Sequence, residues 1–316
     1  ISGTVQSPTP EEVTQTCQAM LERSGSLESA EIAFFGGSFT AVEPAYQIAL
    51  LEAAQPFLGE GMFSGIRIST RPDAVDSAVL ERLERYHVTA VELGAQSMCD
   101  RVLYQNERGH DAQAVRQASA MLRERGFSLG LQQMVGLYSS TLQDEYDTLE
   151  QLLACQPETL RIYPTAVLEG TKLAEYYFRG GYPQLSQEEV LDYCADALCR
   201  CHHAGVRVIR LGLHDTPSLR EHLLAGYFHP AYGELAESRL YLRQLKAAAA
   251  DCGKTELFVE TAPRTMSKVL GQHGCNRKAL AEQGVSLRVR ENAAVAAGTL
   301  LAGQQVYEIF SERNQR

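Results

Sequence analysis

The sequence predicts an α/β fold built on a parallel barrel or sheet. Three observations carry that prediction. Short apolar runs bounded by glycine or turn residues alternate with longer segments of helical period, five such runs fall before residue 166, and polar residues gather at their carboxyl ends. Alternation of this kind builds parallel strands joined by helical crossovers, with function at the carboxyl ends of the strands.

The elements follow in order. Residues 9–23 have Thr9 as N-cap, Pro10 at the first helical position, acids in the first turn, and Val13, Cys17, Met20 and Leu21 at helical spacing. "EIAFF" (31–35) is short, apolar and bounded by glycines, as a buried parallel strand should be. A helix over 43–57 follows, then the strand "GIRIST" (65–70), the helix 73–86 and the strand "TAVELGAQS" (89–97). A helix over 111–125 closes at Gly126, and "FSLGLQQMVG" (127–136) reads as a strand, 141–155 as a helix and "TLRIYPT" (159–165) as a strand. Beyond Thr165 the rhythm loosens into a Gly- and Tyr-rich excursion (167–186), a helix over 187–203, a strand candidate at 206–214 and a helix over 231–250. From Lys254 a new pattern starts: the strand "TELFVE", a helix, the loop "GQHG", a helix, the strand "VSLRVR" and a last strand near "QQVYEIF". The expected division is a barrel over 1–245 and a small α/β domain over 246–316. No tandem repeat or low-complexity stretch interrupts the chain.

Composition narrows the function classes. The chain has 316 residues, 45% of them hydrophobic and 22% charged. It has no run of about 18 apolar residues that could span a membrane and no signal peptide at its start. A net charge of -10 argues against a surface that is basic throughout but leaves room for a local phosphate-binding patch. The eight cysteines lie mostly inside helical patterns, which suits reduced thiols and a cytoplasmic location.

The strand ends read "FFGGSFT", "RISTRPD", "ELGAQS", "LQQMVGL" and "RIYPT". In a parallel barrel they converge on one face around a shared ligand. Gly36 and Gly37 admit a ligand close to backbone, and nearby carbonyls with the Ser38 hydroxyl can receive an ammonium group. Gln96 and Gln132 offer donors and acceptors, while Arg71, Arg108 and His110 can hold a carboxylate or phosphate. Each motif alone has a plainer reading: Gly-Gly as a turn, Gln96 as a helix cap, Arg71-Pro72-Asp73 as a helix start, His110 as a turn residue, Tyr163 as packing beneath a pocket. No nucleophile stands beside a base, and no two carboxylates pair at strand ends. A site rich in amides and poor in bases points to a cofactor that carries the chemistry.

In that order, "FFGGSFTA", "STRPDAV", "ELGAQS", "RGH", "LQQMVGL" and "RIYPT" resemble the successive signatures of radical S-adenosylmethionine enzymes, in the branch containing the Elongator catalytic subunit. The oxygen-independent coproporphyrinogen oxidase is a more distant likeness. The resemblance covers roughly residues 1–240. It implies an α/β fold, a partial (β/α)6 TIM-like barrel of the radical SAM type lacking its first strand in this chain, with a small C-terminal α/β (KH-like) unit. It places Gly36, Gly37 and Ser38 at the methionine amino group of S-adenosylmethionine, and Ser69, Gln96, Arg108 and Gln132 among its contacts. Ser69 departs from the glutamate common in related enzymes.

The family holds a [4Fe-4S] cluster with three cysteines at C-x3-C-x2-C, a spacing that this chain does not contain. The opening "ISG" is similar to the segment that follows that motif, so the resemblance expects the ligands upstream of Ile1, with natural loss as the alternative. No metal ligand is assigned here, and the chain as given is expected to be inactive. The intact form is expected to cleave S-adenosylmethionine reductively to a 5'-deoxyadenosyl radical, with electrons from a donor such as flavodoxin or ferredoxin. Its substrate by analogy is tRNA or another RNA. The alternatives are a noncatalytic RNA-binding or regulatory protein and a tetrapyrrole-directed radical enzyme. No acetyl-CoA loop is present, so acetyl transfer is not implied.

Two further clusters complete the sequence reading. Cys194, Cys199 and Cys201 share one helix, but Cys199 and Cys201 are two residues apart and do not face each other, which favours buried core thiols over metal ligands. Gly271, Gln272, His273 and Gly274, followed by Arg277 and Lys278, resemble the G-x-x-G loop with which KH modules clamp nucleic-acid backbone. Residues 253–290 hold seven basic residues against three acidic ones, a local excess that suits phosphate. Ordinary helix termination at the two glycines is the competing reading.

Overall fold

The computed structural model describes residues 7–23, 27–253 and 255–311. The opening "ISG" and Lys254 lie outside the described residues. The helices are α1 (Pro10–Arg23), α2 (Pro44–Ala54), α3 (Ser77–Arg85), α4 (Asp100–Gln105), α5 (Ala112–Glu124), α6 (Leu142–Ala154), α7 (Lys172–Phe178), α8 (Gln187–His203), α9 (Pro217–His222), α10 (Tyr232–Cys252), α11 (Met266–Leu270) and α12 (Cys275–Ala281). The strands are β1 (Glu31–Phe34), β2 (Gly65–Thr70), β3 (Val88–Gln96), β4 (Ser128–Val135), β5 (Thr159–Pro164), β6 (Ala166–Leu168), β7 (Arg207–Leu211), β8 (Leu223–Gly226), β9 (Glu256–Thr261), β10 (Ser286–Glu291), β11 (Thr299–Ala302) and β12 (Gln305–Glu308).

Six strands form one sheet in the order β1-β2-β3-β4-β5-β7, so the sequence-predicted strand after Val206 joins the barrel sheet. The pairs β1–β2, β2–β3 and β3–β4 are parallel. Packing divides the chain into one unit of residues 1–161 with 216–223, and a second of 162–215 with 224–316. Helix α10 lies wholly in the second unit and runs across residue 245, where the sequence reading placed its boundary.

In the first unit, local chemistry sets the helix starts. Thr9 and Glu12 exchange a capping box ahead of α1, and Thr141 and Asp144 do so ahead of α6. Asp76 and Asp111 accept the backbone amides of Val79 and Ala114 to open α3 and α5. The helices bury Leu51, Leu80, Leu83, Val115, Leu122 and Leu149 with Ile66, Ile68, Val91, Leu93, Leu129 and Leu131 of the sheet, all at most 1% exposed. The opposite sheet face, described below, is polar.

The loop after β4 is fixed from two sides. The Glu145 carboxylate on α6 accepts the Gly136 amide at 2.8 Å, the Ser140 hydroxyl at 2.7 Å and the Gln133 side-chain amide at 3.1 Å. Asn106, at the end of α4, donates to the Tyr138 carbonyl at 2.9 Å and accepts its amide at 3.2 Å. Neither α4 nor this bracing was expected from the sequence.

The second unit holds a four-stranded sheet in the order β10-β9-β11-β12, with β9 and β10 parallel and β11–β12 an antiparallel hairpin. The sequence reading expected only one strand at this end; the β11 half is a four-residue run after a Gly298 turn. One sheet face packs Leu257, Val259, Leu287, Leu300 and Tyr307 against Leu240, Tyr241, Leu245 and Ala248 of α10 and Cys199 of α8. β6 and β8 form a separate two-stranded sheet. There Gly226, at φ 98°, would bring a Cβ within 2.5 Å of the Thr165 carbonyl, so only glycine fits. Asn276, 2% exposed, reaches the carbonyls of Lys268 and Val269 at the end of α11 and both the carbonyl and hydroxyl of Ser238 in α10.

Two predictions follow from these buried polar groups. Burial pushes the Glu145 carboxyl up to about 7, against the opposing pull of the Ser140 hydroxyl, the Gly136 amide and Gln133. A carboxyl with a raised folded-state pKa binds its proton more tightly when folded. Its contribution is therefore full below the unfolded value and is lost as pH rises through about 7. Wild type should lose on the order of 3 kcal/mol from this group between about pH 4.5 and 7, and Glu145→Gln should remove that part of the slope, as urea titrations across the range will read. Asn276→Ala leaves the α11 carbonyls without their donor and should cost about 2–3 kcal/mol in the same assay.

Candidate functional site

Residue alternation along the strands of the first unit puts Arg67 and Ser69 of β2, Glu92, Gly94 and Gln96 of β3, Gly130 and Gln132 of β4 and Arg161 of β5 on the face away from the helices. The register pairs Ser69 with Glu92 and Glu92 with Gly130. A register shift after Leu93 pairs Gln96 with Gln133, and the side-chain amide of the adjacent Gln132 donates to Gln96 Oε1 at 3.1 Å. Gln96 closes β3 in the left-handed region at φ 67°, a conformation that costs a non-glycine residue about 1–2 kcal/mol. A Cβ at Gly94 would lie 2.7 Å from the Gln96 amide nitrogen, so glycine makes room for this side chain. Sequence-predicted Gln96 and Gln132 thus form one amide pair, and Ser69 lies on the same face of β2.

Gly36 and Gly37 follow β1. Gly36 has φ 109°, which requires glycine, and a Cβ at Gly37 would meet nothing within 4 Å, which leaves the backbone open on that side. Among the described residues the Ser38 hydroxyl has no hydrogen-bond partner. Beyond the turn the chain is held firmly. Thr40 Oγ1 lies 2.6 Å from Thr70 Oγ1 and donates to the Ala74 carbonyl at 2.5 Å, and the Gln47 amide donates to the Thr40 and Val42 carbonyls. The far arm of the turn is therefore fastened to the carboxyl end of β2.

Arg108 lies in the segment between α4 and α5. His110 Nε2 donates to the Ala95 carbonyl at 3.0 Å, and a Cβ at Gly109 would sit 3.0 Å from Arg71 Nη2, which places this segment at the ends of β2 and β3. Arg71 is paired with Asp73 at 2.5 Å. The Arg108 Nε–H is buried and donates to no partner among the described residues, and burial, with the neighbouring Arg71 charge, holds its guanidinium below the usual arginine range. Arg108, His110, Asp73 and Tyr104 line a cleft of about 740 Å³. A desolvated guanidinium with an unmet donor is a costly arrangement unless an anion completes it.

The structure also shows residues that the sequence reading did not single out. Glu92, 3% exposed, meets Arg161 through Nε at 2.6 Å and Nη2 at 3.1 Å, and Arg67 at 3.4 Å. Arg67 in turn meets Glu31 at 2.7 Å. A charge in the middle of "TAVELGAQS" was the available signal, because a carboxylate in an apolar strand needs a cation. Tyr163 is half-buried, two positions beyond Arg161 on β5.

The remaining predicted residues lie in the second unit. Gly271 and Gly274 separate α11 from α12, and a Cβ at Gly271 would approach the Cys275 sulfur to 2.4 Å, a packing reason for that glycine. Gln272 contacts His229 at 3.1 Å, and His273 has φ 52°. Of the basic residues counted over 253–290, Lys268, Arg288 and Arg290 pair with Glu237, Glu256 and Glu260. Arg277 and Lys278 form no ion pair among the described residues. Cys194, Cys199 and Cys201 are fully buried in α8. No group of three His, Cys, Asp or Glu side chains among the described residues is placed to hold a metal, so the residues present do not fit a [4Fe-4S] cluster.

Comparison with known proteins places this geometry in a family. The Radical SAM superfamily matches residues 1–152, and the Radical_SAM C-terminal domain matches residues 157–242. The tRNA uridine(34) acetyltransferase of Dehalococcoides mccartyi is 28% identical over 176 residues, 49% of this chain and 38% of that protein. Elongator complex protein 3 of Homo sapiens is 30% identical over 137 residues, 42% of this chain and 25% of that protein. The matched stretches span less than half the length of these curated relatives. The solved Methanocaldococcus infernus Elp3 with an N-terminal deletion shares the fold, with a TM-score of 0.64 and 23% identity over 74% of this chain and 59% of that one. Two consecutive matches from one superfamily, together covering the strand ends and the sheet that carries them, show that this chain belongs to the radical SAM superfamily.

Proposed function

We propose that the chain binds S-adenosylmethionine at the carboxyl ends of β1 to β4 and belongs to an enzyme that modifies RNA, with tRNA the substrate by analogy to its relatives. The observation that carries the cofactor reading is Arg108, at the ends of β2 and β3, whose buried Nε has no hydrogen-bond partner among the described residues. In this reading its guanidinium takes the methionine carboxylate, and the open Gly36-Gly37 backbone with the Ser38 hydroxyl takes the amino group. The Gln96–Gln132 amide pair and Ser69 offer further hydrogen-bonding groups on the same face. When bound, S-adenosylmethionine supplies a reactive sulfonium centre. The chain's own residues bind and orient it, and no side chain here is proposed as a base.

The RNA reading rests on a relative that is a tRNA uridine(34) acetyltransferase and on Arg277 and Lys278, which form no ion pair among the described residues. Acetyl transfer forms no part of the proposal. Half or more of each relative lies outside the match, and the activity of those parts is not carried over.

Equilibrium dialysis tests the cofactor reading. Arg108→Ala should weaken S-adenosylmethionine about tenfold to a hundredfold, the worth of a charge-assisted hydrogen bond, and leave decarboxylated S-adenosylmethionine nearly unchanged. Equal loss for both ligands would remove Arg108 from the carboxylate. For RNA, replacing Arg277 and Lys278 by alanine should reduce the slope of log affinity against log salt by about 1.4 if both contact a single strand. An unchanged slope in a filter-binding titration with unmodified tRNA would take the loop out of the interface.

A further inference from the structure

The four charged residues Glu31, Arg67, Glu92 and Arg161 form a chain that begins on β1 and ends on β5, over the residue that follows β1. Glu31 opens β1 and meets Arg67 of β2, Arg67 meets Glu92 of β3, and Glu92 meets Arg161 of β5. The Arg161 guanidinium then lies 4.5 Å from the centroid of the Phe35 ring, the residue between the end of β1 and Gly36. β4 lies between Glu92 and Arg161, and glycine is what lets the contact pass. A Cβ at Gly130 would fall 2.7 Å from Glu92 Cγ and 2.9 Å from Thr159 Oγ1.

The turn at 36–38 has little of its own to hold it. Gly36 carries no side chain, Gly37 is open, and the Ser38 hydroxyl has no partner among the described residues. Its flanks are bracketed by the Phe34 and Phe39 rings, whose centroids are 5.2 Å apart. Phe35 is 46% exposed, and Arg161 covers its ring from the polar face of the sheet. Arg161 is held by the buried Glu92 carboxylate, which accepts its Nη2 at 3.1 Å and lies 2.6 Å from its Nε.

We infer that Arg161 is a positioning residue that sets the Gly36-Gly37-Ser38 turn through the Phe35 ring, with Glu92 as its anchor. The inference rests on the reading of that turn as the cradle for the cofactor's amino group. A planar guanidinium can pair with Glu92 along one edge while its face lies over the ring, whereas a compact ammonium has neither the fork nor the flat face that makes both contacts at once.

Arg161→Lys and Phe35→Leu, singly and together, separate this role from a merely structural one. Backbone 15N relaxation on the full chain should show order parameters at Gly36 and Gly37 falling from about 0.85 to below about 0.6 in either variant. The double variant should fall no further, and β3 amides should stay as in wild type. S-adenosylhomocysteine, a stable probe, should bind about tenfold more weakly to each variant by equilibrium dialysis. Unchanged order parameters at the turn, or an equal fall along β3, would overturn the inference. If wild type binds no S-adenosyl compound while Arg161→Lys still loosens the turn, the positioning role stands and the cofactor reading fails. If wild type binds and the turn stays rigid in both variants, the positioning role alone fails.

Discussion

A carboxylate buried in mid-sheet is the constraint around which the polar face of the first unit is arranged. Glu92 is 3% exposed, and an isolated charge so placed would cost several kcal/mol. Two guanidiniums meet it, and those cations must come from strands on either side. Their reach across the sheet then dictates a glycine on the intervening strand. Removing one partner from such a set is more damaging than never having built it, since the charge left behind stays buried. The apolar face obeys a looser rule, because Ile66, Val91 or Leu129 can exchange with residues of similar size while the volume is kept.

That difference explains what could be read from the sequence. The strand and helix order was legible because period two and period 3.6 are local properties, and because capping residues such as Thr9 and Thr141 announce helix starts. The polar strand ends were legible too, and Gln96 and Gln132 do meet. The charge chain was not, since Glu31, Arg67, Glu92 and Arg161 are far apart in sequence and only the sheet order links each to the next. Glu145 was hidden more thoroughly. It sits in an amphipathic helix whose first turn is acidic, where an acid ordinarily faces solvent and interacts with the helix dipole.

The second unit shows the limit of counting charges. A sum of basic residues over a window treats every cation as available, but Arg290 lies across from Glu260 on the parallel neighbour, and Arg288, across from Phe258, pairs with Glu256 of that neighbour. Strand pairing decides which charges face each other, and exposed pairs of this kind contribute little to stability while removing positive potential. Arg277 and Lys278, which form no ion pair among the described residues, lie on a short helix instead.

The small sheet of the second unit is not self-sufficient. Its inner face is completed by α10 and α8, and the chain's last described residues return to α8: the His202 ring stacks on Phe310 with centroids 4.4 Å apart, and the Cys199 thiol contacts the Ser311 carbonyl. Sheet and helices therefore melt as one cooperative block. An insertion or deletion between them, harmless in a string of separable modules, would here expose half of a shared core. Any rearrangement that duplicates or exchanges this region must carry α8, α10 and the sheet together.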